Sequence, residues 1–93
     1  MRVEPIEIYS DASNYAVLRQ PGRRFPGTLV QGDSLHVLCR MADTACLLIS
    51  HSAPGYAEMN DLRNALWERL NHYKTVLNEH GIPLPFDDQP TDC

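Results

Sequence analysis

No stretch of the 93-residue chain reaches the ~18 consecutive apolar residues that a membrane-spanning helix requires. The N-terminus, MRVEPIEIY, carries acids where an export signal would need an unbroken apolar run. These two absences predict a soluble, cytoplasmic protein with no membrane partner. Basic residues are scarce as well. Eight Lys and Arg stand against twelve Asp and Glu, a net charge of -4, which argues against general nucleic-acid binding by phosphate neutralisation. Cysteine is sparse and odd in number: the three residues include the last one, show no framework spacing, and stay thiols in a reducing compartment. Neither a GxxxxGK[ST] nor a GxGxxG pattern is present, so no phosphate-cradling loop is expected. CxxC and HExxH spacings are missing too. His36 and Cys39 stand three apart and Cys46 seven further on, with His51, His72 and His80 elsewhere, but structural zinc sites show tight ligand pairs. No metal and no cofactor is predicted.

What is present suffices for one small domain, residues 1–93, and is too little for two. Three parts follow one another: a β-rich part over 1–32, a helical hairpin over 33–81, and an extended acidic tail over 82–93. Residues 3–9 interleave apolar and acidic side chains as a strand does, with Pro5 restricting it to a sheet edge. Ser10 to Asn14 is turn chemistry, and further strands are expected over 15–19 and 28–31. Asp33 and Ser34 offer a helix N-cap, and Leu35, Leu38, Ala42, Ala45 and Ile49 recur at three- and four-residue steps over about 34–51. A second helix is predicted over 56–80, after a break in which Pro54 suits a first turn. Its apolar stripe is Met59, Leu62, Leu66, Leu70, Tyr73 and Leu77, and Gly81 stands where a left-handed residue stops a helix. Residues 82–86 hold two prolines and should lie extended across the core. The fold class is therefore α+β, ordered β-β-(β)-α-α: an N-terminal β-hairpin or three short strands packed on an antiparallel two-helix hairpin. So small a core is marginal, and an exposed Trp67 or the Leu47/Leu48 pair could complete it through a partner or a homodimer.

Two surfaces stand out as candidate sites. The segment from Arg19 to Gly27 holds three arginines and no acid within two Pro-Gly turns. Arg19, Arg23 and Arg24, near the helix start at Asp33, suit an anion or carboxylate. The same groups equally suit a clamp on the loop, with Arg23 or Arg24 bonding carbonyls or pairing with Asp33 and Glu7 while Phe25 plugs the core. The second surface is the hydrophilic face of the second helix, Asp61, Asn64, Glu68 and Asn71, with Tyr56 and Trp67 at its edges. From Ser34 onward there are four bases and eight acids, so the whole charge excess lies in the helices and tail. An acidic face with aromatic residues suits a basic protein partner, although an ordinary solvated face has the same composition. Glu68 and His72, four apart, read as a solvated pair. No acid/base dyad or activated nucleophile can be defended from spacing, and a two-helix domain has little room to enclose a substrate, so no enzyme is predicted.

Three segments, EIYSD.SN at Glu7 to Asn14, PGRRFPG..VQGD at Pro21 to Asp33, and NDLR..LW.RL..YK..L..HGI..PF at Asn60 to Phe86, resemble a small uncharacterised bacterial family of about this length. The resemblance implies a bacterial cytoplasmic domain of unknown function and carries no catalytic residues with it. Size and charge are similar to those of immunity proteins, which occlude a toxin's active site. The expected function is protein binding, with a basic toxin as one such partner. The alternative is a ligand- or anion-binding regulatory module using the arginine loop.

Overall fold

A computed structural model describes residues 1–12 and 15–87. The turn expected at Ser13 and Asn14, and Asp88, Asp92 and Cys93 of the acidic tail, fall outside the described residues. The elements are β1 (Glu7–Ser10), β2 (Val17–Arg19), β3 (Gly27–Thr28), α1 (Gly32–Leu48) and α2 (Tyr56–Glu79), the α+β order that the sequence predicts. The chain divides into two compact units, Met1–Gln31 with the strands and Gly32–Cys93 with the helices.

In the first unit the strands are antiparallel in the order β1-β2-β3. Glu7 faces Arg19 and Ile8 faces Leu18, after which an irregularity at Tyr9 lets Ser10 face Val17. β3 pairs through Val17 with Thr28 and Leu18 with Gly27, and the Leu29 N–H extends the pairing to the Ala16 carbonyl at 3.1 Å. All three strands are shorter than expected. Residues 3–6 stay outside β1, and Pro5, which has no N–H to give a ladder, lies among them. The third strand is Gly27–Thr28 rather than 28–31. Phe25 does not plug a core. It is 72% exposed, on the turn-rich loop, with the Arg24 guanidinium carbon 5.2 Å from its ring centre.

In the second unit the helices run antiparallel: Gly32 meets Tyr73 at one end of the pair, and Asp43 meets Trp67 and Arg63 further along. α1 begins earlier than expected. Asp33 therefore sits inside the first turn instead of capping it, and its Oδ1 accepts the Ser34 N–H at 2.8 Å. The cause is Gly32, buried beneath the Tyr73 ring: a Cβ there would overlap the ring, so only glycine lets the two helices approach so closely. Pro54 belongs to the connection, and α2 starts after Gly55. At its other end α2 stops as predicted. Gly81 takes a left-handed φ of 67°, its N–H reaches the Asn78 carbonyl at 3.3 Å, and the Ile82 N–H reaches the Leu77 carbonyl at 2.9 Å, the paired bonds of a Schellman stop.

The seam buries Leu35, Cys39, Ala42 and Leu70, with Leu66, Trp67, Tyr73 and Phe86 packed against them. Phe86 returns along α1 and stacks on His36, ring centres 4.3 Å apart at 7°. Two leucines of the expected stripes are not in the core: Leu38 is 43% and Leu62 53% exposed. The α2 seam takes Arg63 in place of Leu62, which is turned away by about 100°.

Candidate functional site

Among the described residues of the helical unit the most buried charged side chain is Asp43, at 3% exposure. Its Oδ1 accepts the Arg63 Nε–H at 2.6 Å and the Trp67 Nε1–H at 2.9 Å. Arg63 and Trp67 are one turn apart on α2, so both donors project from one face onto one carboxylate across the seam. The Arg63 side chain keeps 29% exposure, so part of its guanidinium meets solvent while its Nε stays on the acid. Cys39 lies one turn before Asp43. Burial pushes its thiol pKa up and the nearby carboxylate adds to the shift. A raised, fully buried thiol is a poor nucleophile.

Sequence reasoning missed Asp43 and Arg63 because each alone reads as a surface charge. The available signal was position: Asp43 stands four residues beyond Cys39 and eight beyond Leu35, on the apolar stripe. Trp67, expected at the edge of the partner face, is instead half-buried in this seam with its N–H committed. Tyr56 is half-buried as well, tilted against His51 at 4.6 Å between ring centres. Asp61, Asn64, Glu68 and Asn71 are exposed together on the opposite side of α2, as the period predicts. Glu68 and His72 are both exposed, and no ion pair joins them among the described residues.

The arginine set is divided by the fold. Arg19 Nη2 donates to both carboxylate oxygens of the cross-strand Glu7, at 2.8 and 2.6 Å, and Tyr9 donates its hydroxyl to the same carboxylate at 2.7 Å. These two partners, the tyrosine first, hold the Glu7 carboxyl below its ordinary range. Glu7 in turn pushes the Tyr9 hydroxyl and the Arg19 guanidinium up. Arg19 is thus a strand clamp. Arg23 and Arg24 are exposed on the loop, where the Arg23 N–H closes a turn to the Gln20 carbonyl at 3.1 Å. Neither side chain meets a carboxylate among the described residues. Asp33 belongs to the helical unit and bonds the Ser34 N–H.

A family model, DUF6959, matches residues 1–86, a span that contains all three motif-bearing segments. The chain belongs to this family of unknown function. No curated protein and no solved structure matches it. In this DUF6959 chain a hollow of about 170 Å³ lies where Cys46, His51, Tyr56, Asn60 and Arg63 converge near the helix connection. Cys46 and His51 both line it, the former half-buried and the latter exposed. Among the described residues no group of three or more His, Cys, Asp or Glu is placed to hold a metal ion, and no helix is long and apolar enough to cross a membrane.

Proposed function

We propose that this chain is a small protein-binding domain that presents the acidic outer face of α2 to a basic protein. A toxin held by its immunity protein is a pair of this kind. One observation carries the reading: Asp61 and Glu68, on one stripe with Asn64 and Asn71, are exposed and form no ion pair among the described residues. Carboxylates left unpaired on a stiff helix are available to a cationic surface, and they raise its encounter rate over a Debye length of roughly 8–10 Å. The opposite side of the helix is fixed by the Asp43 bonds, so the stripe meets a partner already ordered. With Trp67 withdrawn into the seam, such a contact rests on charge rather than on that aromatic anchor. The test is co-purification from native extract, followed by association kinetics of the purified pair at several salt concentrations. Asp61→Lys with Glu68→Lys should slow association at least tenfold and flatten its salt dependence. An unchanged rate would remove the α2 face from consideration.

A second reading is favoured by one specific feature: Arg23 and Arg24 are exposed on a loop stiffened by Pro21 and Pro26, and neither meets a carboxylate among the described residues. They suit a small anion. Phosphate or citrate should then raise the melting temperature, and Arg23→Ala with Arg24→Ala should abolish the rise. Equal stabilisation of both proteins would rule this out.

A further inference from the structure

We infer that the hollow at the helix connection is a binding site for a small carboxylate, seated on the Arg63 guanidinium. Three segments of the helical unit build it. Tyr56, Asn60 and Arg63 stand at steps of four and three on α2, hence on one face of that helix, while Cys46 and Leu47 come from the last turn of α1 and His51 from the connection. Its volume, about 170 Å³, is well below the about 300 Å³ at which sites for drug-sized ligands begin, so it takes a group of a few heavy atoms.

The lining names the class of ligand. Arg63 carries only donors, and Tyr56, Asn60 and His51 can each donate as well. Among the described residues no carboxylate lines the hollow. The connection, residues 49–55, contains no acid, and the exposed Glu58 and Asp61 stand two positions, about 200° of helix, from Tyr56 and Arg63 respectively. Tyr56 and Asn60 are half-buried, and among the described residues neither the hydroxyl nor the amide makes a hydrogen bond within the protein. Such groups take their bonds from water or from a ligand. Arg63 is placed in advance. Asp43 holds its Nε–H at 2.6 Å, so the plane of the guanidinium is set before a ligand arrives, and a fixed planar fork matches the two oxygens of a carboxylate. The Asp43 charge offsets part of the Arg63 charge, which places the expected Kd at about 1 mM or weaker. Leu47 and the Tyr56 ring add an apolar wall, which fits a carboxylate with a short alkyl body and gives a fully polar phosphate nothing to pair with. Two sources present this chemistry: a free short-chain acid and the C-terminal carboxylate of a peptide. The site belongs to the helical unit, whereas Arg23 and Arg24 belong to the strand unit, so binding at the one is read separately from binding at the other.

The experiment is an amide NMR titration of the full chain with sodium propionate up to about 50 mM at constant ionic strength, with sodium phosphate and sodium chloride as controls. The amides of His51, Tyr56, Asn60 and Arg63 should move along one saturating curve with propionate and with neither control, and those of residues 20–27 should not follow it. Tyr56→Phe and Asn60→Ala leave the Asp43 bonds in place and should each raise the Kd about two- to tenfold, the worth of one hydrogen bond. Arg63→Lys keeps the charge and loses the fork, and should bind at least tenfold more weakly; should that chain not fold by circular dichroism, the other two variants decide. A short peptide ending in valine that displaces propionate while its C-terminal amide does not assigns the site to a chain end, and a peptide without effect assigns it to the free acid. Equal shifts with phosphate or chloride, no saturation by about 50 mM propionate, or Tyr56→Phe and Asn60→Ala proteins that bind as the parent does would each overturn the proposal.

Discussion

Replacing Asp43 by alanine is the sharpest perturbation available in the helical unit. The change leaves the Arg63 guanidinium and the Trp67 indole N–H facing an apolar seam without their shared acceptor. Removing one partner of a buried ion pair costs about 3–5 kcal/mol. The Arg63 side chain is 29% exposed, so water can take over part of the guanidinium, which places that cost near the lower limit. An orphaned indole N–H adds about 1 kcal/mol. The expected loss is therefore about 3–4 kcal/mol, a large share of the roughly 5–10 kcal/mol that a chain of this size has in total. Asp43→Asn keeps one oxygen that can accept both bonds but loses the charge and turns the second oxygen into an NH2 donor, so it should cost about 1–2 kcal/mol, less than Asp43→Ala. Urea unfolding followed by far-UV circular dichroism measures both, with fluorescence of Trp67, the sole tryptophan, reporting the seam directly. If Asp43→Ala falls within about 1 kcal/mol of the parent, or Asp43→Asn costs as much as Asp43→Ala, the reasoning fails.

Other variants separate core from surface in the same assay. Leu70→Ala, at a fully buried position, should cost about 2–5 kcal/mol, whereas Leu62→Ala should stay within about 0.5 kcal/mol; equal effects would mean that the seam is misassigned. Cys39 should resist a water-soluble thiol reagent until the helices unfold, while the half-buried Cys46 reacts in the native state. Because the Cys39 pKa is raised, its contribution is fully present below the ordinary thiol range and declines as pH rises through it, so stability should fall on the alkaline side. Glu7 has the opposite sign: its pKa is lowered, so the Tyr9 and Arg19 bonds support the strand pair above the ordinary carboxylate range and are lost as pH falls through the lowered value. Carboxyl titration by NMR should show Tyr9→Phe and Arg19→Met each moving Glu7 upward, and an unmoved titration would refute the pairing.

What was legible in the sequence follows the range over which each feature is determined. The end of α2 was, because Gly81 encodes a left-handed stop locally, and so was the Asp61, Asn64, Glu68, Asn71 stripe, which a 3.6-residue period alone places on one side. Strands of two to four residues carry too little alternation to fix their ends. The start of α1 is set by the approach of Tyr73 to Gly32, and the place of Trp67 by an acid 24 residues earlier in the chain. Neither Asp43 nor Arg63 stands out in the sequence, because each, taken alone, has the look of a surface charge. Only their pairing makes burial tolerable, and that pairing is visible once the helices are set antiparallel. The consequence reaches the surface. Drawing Arg63 and Trp67 inward turns Leu62 out and fixes the rotation of α2, and that rotation presents Asp61 and Glu68 to solvent as a charged stripe without the aromatic anchor that the sequence placed beside it.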